Sequence, residues 1–111
     1  MSYNFLSNIN NFDDFNEPIK AYETVYIPTE IKFVDQNNIE QKACFLMVRA
    51  DPNNDLLIQL QPWGYGVYIP AGELWSVDSL KDIESIIVKK AFNHYGDSQT
   101  IAHIQWMIGY A

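Results

Sequence analysis

Clusters of turn-forming residues recur through the middle of this chain: DQNN at 35–38, ADPNN at 50–54, PWGYG at 62–66 and PAG at 70–72. Asn, Asp, Pro and Gly each favour chain reversal for their own backbone reasons, and the intervals between the clusters hold 11, 7 and 3 residues. Those intervals are rich in Val, Ile, Tyr and Phe, which suit a pleated, half-buried surface. The region from Ala21 to Gly72 is therefore expected to fold as short strands. Tyr22 to Ile27 reads as a strand ended by Pro28, and Ile31 and Phe33 share one face across Lys32. After DQNN the chain returns through Ile39 to Arg49, and its apolar block at 43–48 predicts a hairpin ending in a central strand. DLLIQL at 55–60 leaves the next turn as a second hairpin, and VYI at 67–69 closes the meander.

Beyond Gly72 the pattern shifts to a helical period. Ser76 or Ser79 can cap a helix, and Asp82 stands three residues after Ser79 as in a capping box. Leu80, Ile83, Ile87 and Ala91 then fall on one face, Lys89 and Lys90 complement the helix dipole, and Gly96 can stop it. This predicts one main helix over about residues 79–95. Ala102, Ile104, Trp106, Ile108 and Tyr110 alternate with His103, Gln105 and Met107, which predicts a final C-terminal strand. At the start, Phe5, Ile9 and Phe12 recur at about one helical turn, so residues 1–18 read as a short helix or ordered arm ended by Pro18. The expected fold is α+β: a twisted, mainly antiparallel sheet of about five or six strands with the main helix packed on it. A length of 111 residues with 48% apolar side chains suits a single globular domain over 1–111.

The formal charge is -7, from 14 acidic and 7 basic side chains. That sign repels nucleic-acid phosphates and anionic membranes, and it favours a basic protein partner. Cys44 is the only cysteine, so no internal disulfide can form, and its apolar surroundings suit a buried thiol in a reducing cytoplasm. With one Cys and two His, His94 and His103, the residues for a metal site are sparse, and no metal or cofactor is expected. No Walker loop, GxGxxG or GxSxG pattern occurs, and no enzymatic activity is expected.

LLIQLQPWGYGVYIPAGEL, followed by a helix ending at Gly96, resembles the strand, PGG turn and helix order of Nudix hydrolases. That family needs an Arg-Glu pair and a Glu-Glu pair on the helix to hold magnesium ions against a diphosphate. Counted back from Gly96, those places hold Lys89, Lys90, Asn93 and His94, and the interval from Gly72 is longer than the family's box. The resemblance implies a degenerate, non-catalytic relative that could bind a nucleotide or other small molecule.

Residues 51–80 contain four acids and no Lys or Arg, and the same stretch gathers Trp and Tyr. Aromatic rings anchor interfaces, and flanking carboxylates steer a basic partner. Asp51, Asp55, Trp63, Tyr65, Glu73, Trp75 and Asp78 are thus the candidate partner-binding residues. The functional expectation is a small acidic protein that neutralises a basic partner, such as a bacterial immunity protein against a nuclease toxin or a phage-encoded inhibitor of a defence nuclease. The alternatives are the small-molecule binder and a homo-oligomeric structural subunit paired through the C-terminal strand.

Overall fold

The computed structural model describes residues 4–20, 23–80, 83–91 and 101–110. The described chain forms eleven strands: β1 (Asn4–Ser7), β2 (Glu17–Ile19), β3 (Thr24–Ile27), β4 (Lys32–Val34), β5 (Glu40–Lys42), β6 (Phe45–Ala50), β7 (Leu56–Gln61), β8 (Tyr65–Ile69), β9 (Leu74–Val77), β10 (Ser85–Lys90) and β11 (Ala102–Tyr110).

All pairings are antiparallel. β1-β11-β6-β9, with β2 also beside β11, make a five-stranded sheet; β3-β10-β7-β8 make a four-stranded one, and β4-β5 stand apart as a hairpin. The pairs are nested. β7 with β8 lies in the four-stranded sheet, β6 with β9 in the five-stranded one, then β3 with β10, then β1 and β2 with β11. A long hairpin folded over itself in this alternating way is the jelly-roll order, here with β4-β5 inserted before β6.

The two sheets close on one core. On the four-stranded sheet, Ile27, Ile86 and Leu60 are in register in one inward row and Val88 and Ile58 in the next. Opposite them stand Ile108 with Leu46 and Trp106 with Val48. All of these side chains belong to a single buried cluster. Each fully buried Leu, Ile or Val contributes about 1.5–3 kcal/mol relative to exposure, so this inter-sheet layer is the main source of stability.

The structure corrects the α+β expectation: no residue described here is helical, and residues 85–90 of the expected helix are β10. The apparent helical face through Leu80, Ile83, Ile87 and Ala91 is one of two periods in the same residues. Ile86, Val88 and Lys90 alternate as buried positions, and the β-branched run Ile86-Ile87-Val88 favours the strand. Residues 81–82 and 92–100 of the expected helix lie outside the described residues. The N-terminal helix is likewise replaced by β1 and β2. The 51–55 turn does not close a hairpin, because β6 and β7 belong to different sheets, and so there is no meander. Ser76, one of the expected helix caps, is the third residue of β9. The Nudix-like order fails for the same reason, since a strand stands where the metal-binding helix belongs. The alternation of Ala102 to Tyr110 is present as β11, and DQNN joins β4 to β5 with Asn38 at φ 64°.

Candidate docking surface

β6 reads Phe45-Leu46-Met47-Val48-Arg49-Ala50, apolar at nearly every position. Leu46, Val48 and Ala50 face the core, which turns Phe45, Met47 and Arg49 to the outer face of the five-stranded sheet. Register then assembles that face row by row. Phe5, Gly109 and Phe45 form one row, Ser7, Met107, Met47 and Ser76 the next, and Gln105, Arg49 and Leu74 the third. Phe5 is 53% exposed and Leu74 52% exposed. Between them, Phe5, Phe45, Met47, Ser76, Asp78 and Met107 border an open groove of about 690 Å³. An apolar outer face on a sheet whose other face is already the core is unusual for a chain that needs only to fold and stay soluble.

Residues 8–16 cover Gln105 and Arg49 of the third row and leave Leu74 exposed. Asn8 stitches the gap between β1 and β2: its Oδ1 accepts from Trp106 N at 2.8 Å, and its Nδ2 donates to Ile104 O at 2.9 Å. The chain then crosses above Gln105, whose Nε2 donates to Phe12 O at 2.8 Å and to Asp14 O. Arg49 Nη1 also donates to Phe12 O at 3.0 Å, and its guanidinium lies 4.0 Å from the Phe12 ring centroid and 5.1 Å from that of Phe15. The one Lys or Arg in these three rows is therefore occupied by the strap, and Gln105 is buried although it points outward.

The structure divides the candidate residues between the two ends of the sandwich. Asp51, 5% exposed, is a staple at one end: it accepts from Asn53 N at 2.7 Å, from Asn54 Nδ2 at 3.1 Å and from His103 N at 2.6 Å, with His103 Nδ1 at 3.8 Å. Asp55 lies at the same end, accepting from Ala71 N at 2.7 Å and from the Tyr68 hydroxyl. That hydrogen bond to the Asp55 carboxylate, aided by burial and the negative charge, raises the Tyr68 hydroxyl above its ordinary value of 10.0. Exposed Glu73 follows the neighbouring turn, where Gly72, at φ 78°, donates its N–H to Asp51 O at 2.8 Å. Trp63 is carried to the opposite end by the β7-β8 turn, and exposed Asp78 follows β9 to that end as well. Trp63 and Trp75 are partly buried against the core, and the side chain of Tyr65 lies outside the described residues.

Of the seven, Glu73 and Asp78 flank the apolar face, one at each end of β9. Phe5, Met47, Leu74 and Met107 were not among the partner-binding candidates read from the sequence. The signal for Met47 was the apolar block around β6, which leaves apolar side chains on both faces of a strand.

No protein-family model, curated protein or solved structure matches the chain. Neither the fold nor those comparisons gives evidence for an immunity-protein or toxin-inhibitor role, and the α+β fold is withdrawn. Among the described residues, no group of three or more His, Cys, Asp or Glu is arranged to hold a metal ion, and no helix is long and apolar enough to cross a membrane.

Proposed function

We propose that this chain is a non-catalytic protein-binding module that docks a basic partner protein through the outer face of its five-stranded sheet. The observation carrying the reading is the apolar surface formed by Phe5, Met107 and Met47 around an open groove, with exposed Leu74 beside it and the strap seated on Gln105 and Arg49. Exposed Phe and Leu with half-buried Met supply an adaptable contact area. Exposed Asp13, Glu73 and Asp78 lie around that surface, and the Arg49 guanidinium is held against Phe12, Phe15 and the Phe12 carbonyl. An apolar centre with an acidic rim in a chain of charge -7 selects a partner of opposite charge and speeds its approach. The same rim opposes self-association through this face.

The test is a photo-cross-linking residue placed at Leu74 in the cells that make the protein, with Tyr26 on the outer face of the other sheet as control. The expected result is an adduct with a basic protein from Leu74 and none from Tyr26. Equal capture from both positions, or capture of acidic proteins, would refute the assignment.

A further inference from the structure

We infer that β9 is a landing edge for an extended segment of the partner, which joins the five-stranded sheet as an added strand. The inference rests on the docking reading above and specifies what the docked partner presents. β9 is the last strand of its sheet, and among the described residues no strand pairs with its far side. Ala50 N donates to Glu73 O at 3.1 Å, which marks 50 and 73 as a hydrogen-bonded pair of the antiparallel ladder. Alternation then places Trp75 and Val77 in the bonded pairs with Val48 and Leu46. The N–H and C=O groups of Leu74 and Ser76 therefore turn away from β6, toward the open edge.

The side chains of those two residues stand on the outer apolar face, beside Arg49 and Met47. A strand bonded to Leu74 and Ser76 would place its opposing side chains on that face, extending the Leu74, Met47 and Met107 surface. Its intervening side chains would lie beside Trp75 and Val77 and cover the partly exposed margin of the core. β9 is short but otherwise unguarded: it contains no Lys and no Pro, and its register against β6 runs without a bulge.

Charge selects the occupant. Exposed Glu73 precedes β9 and exposed Asp78 follows it, about 17 Å apart along an extended chain. Two copies paired antiparallel through β9 would bring the acids of one toward those of the other, a repulsive arrangement. A segment with Lys or Arg at both ends and β-branched residues between them meets a carboxylate at each end and the open backbone groups in the middle. Backbone bonds supply affinity in such strand addition, and the flanking contacts supply selectivity.

The probe is a synthetic hexapeptide with Lys at both ends and alternating Val and Thr between them, compared with the same peptide carrying Glu at both ends. Binding to the full chain is followed by amide hydrogen exchange at Leu74 and Ser76 and by the methyl signals of Met47 and Met107. The Lys-ended peptide is expected to slow exchange at both amides by about tenfold at saturation, while the Glu-ended peptide leaves them unchanged. Ser76→Pro removes an edge N–H without removing a bond to β6, and it should abolish this protection. Glu73→Lys with Asp78→Lys should transfer binding to the Glu-ended peptide, which keeps the test decisive if the proline variant fails to fold. Methyl shifts without amide protection would overturn strand addition and leave the docking face standing. No response in either signal would overturn both, and equal binding of the two peptides would overturn the charge assignment.

Discussion

Ile86 and Ile87 are adjacent and chemically identical, yet the jelly roll gives them opposite burdens. Ile86 is fully buried between Ile27 and Leu60, whereas Ile87 points outward, level with Tyr26 and Gln59. Truncating Ile86 to Ala deletes buried methyl and methylene groups from the inter-sheet layer and leaves a void there. The expected cost is about 2–5 kcal/mol. At about 4–8 °C per kcal/mol for a small domain, even the lower figure lowers Tm by roughly 10 °C. Ile87→Ala removes the same atoms from a half-exposed surface and should cost about 1 kcal/mol or less. Urea denaturation of the two variants, fitted with a common m-value, gives the comparison directly. The helical spacing of Leu80, Ile83, Ile87 and Ala91 demands the reverse order. A loss at Ile87 equal to or greater than that at Ile86 would therefore refute the strand assignment of β10.

Asp51→Ala should destabilise the protein by roughly 1.5–3 kcal/mol in urea, because it strips acceptors from Asn53 N, Asn54 Nδ2 and His103 N in a buried setting. An unchanged midpoint would show that the staple is dispensable. The Tyr68 hydroxyl should titrate above 10.0, and Asp55→Asn should move it back toward that value in an alkaline absorbance titration. With the folded value raised, the stabilisation from the Tyr68 hydrogen bond is present in full below pH 10.0 and fades as pH rises through the folded value. A variant that titrates identically to the wild type would contradict the pairing.

Most individual strands were legible because their information is local. DQNN forces a reversal between two short strands, ADPNN ends an apolar run, and the apolar positions Ala102, Ile104, Trp106 and Ile108 fix which side of β11 faces the core. The two-layer arrangement was not legible, because adjacent strands joined by a short turn read as a hairpin until something sends the second strand elsewhere. Here Asp51 ties the 51–55 turn to the start of β11, and β6 and β7 separate into different sheets. β10 was misread because Leu80, Ile83 and Ile87 satisfy a helical period by coincidence, while the buried alternation of Ile86 and Val88 acquires meaning only when β3 and β7 flank them. The Ser76 hydroxyl looked like a cap, but its residue is the third of β9.

The site was obscured by the same topology. Acids and aromatics contiguous in sequence from Asp51 to Asp78 are carried to opposite ends of the sandwich by the β7-β8 reversal. The apolar face combines Phe5, Met47, Leu74 and Met107, residues far apart in sequence that only the β1-β11-β6-β9 order brings together. Of the acids in that stretch, Glu73 and Asp78 stand beside that face, one on either side of β9.

The most direct test of the docking face is the affinity of the partner cross-linked at Leu74 for three surface variants: Phe5→Asp, Leu74→Asp and Tyr26→Asp. All three positions are more than half exposed, so stability should change by about 0.5 kcal/mol or less. The expected result is a loss of at least about tenfold in Kd for Phe5→Asp and Leu74→Asp, equivalent to about 1.4 kcal/mol, with Tyr26→Asp unchanged. Full affinity in the first two variants, or a loss confined to Tyr26→Asp, would contradict it.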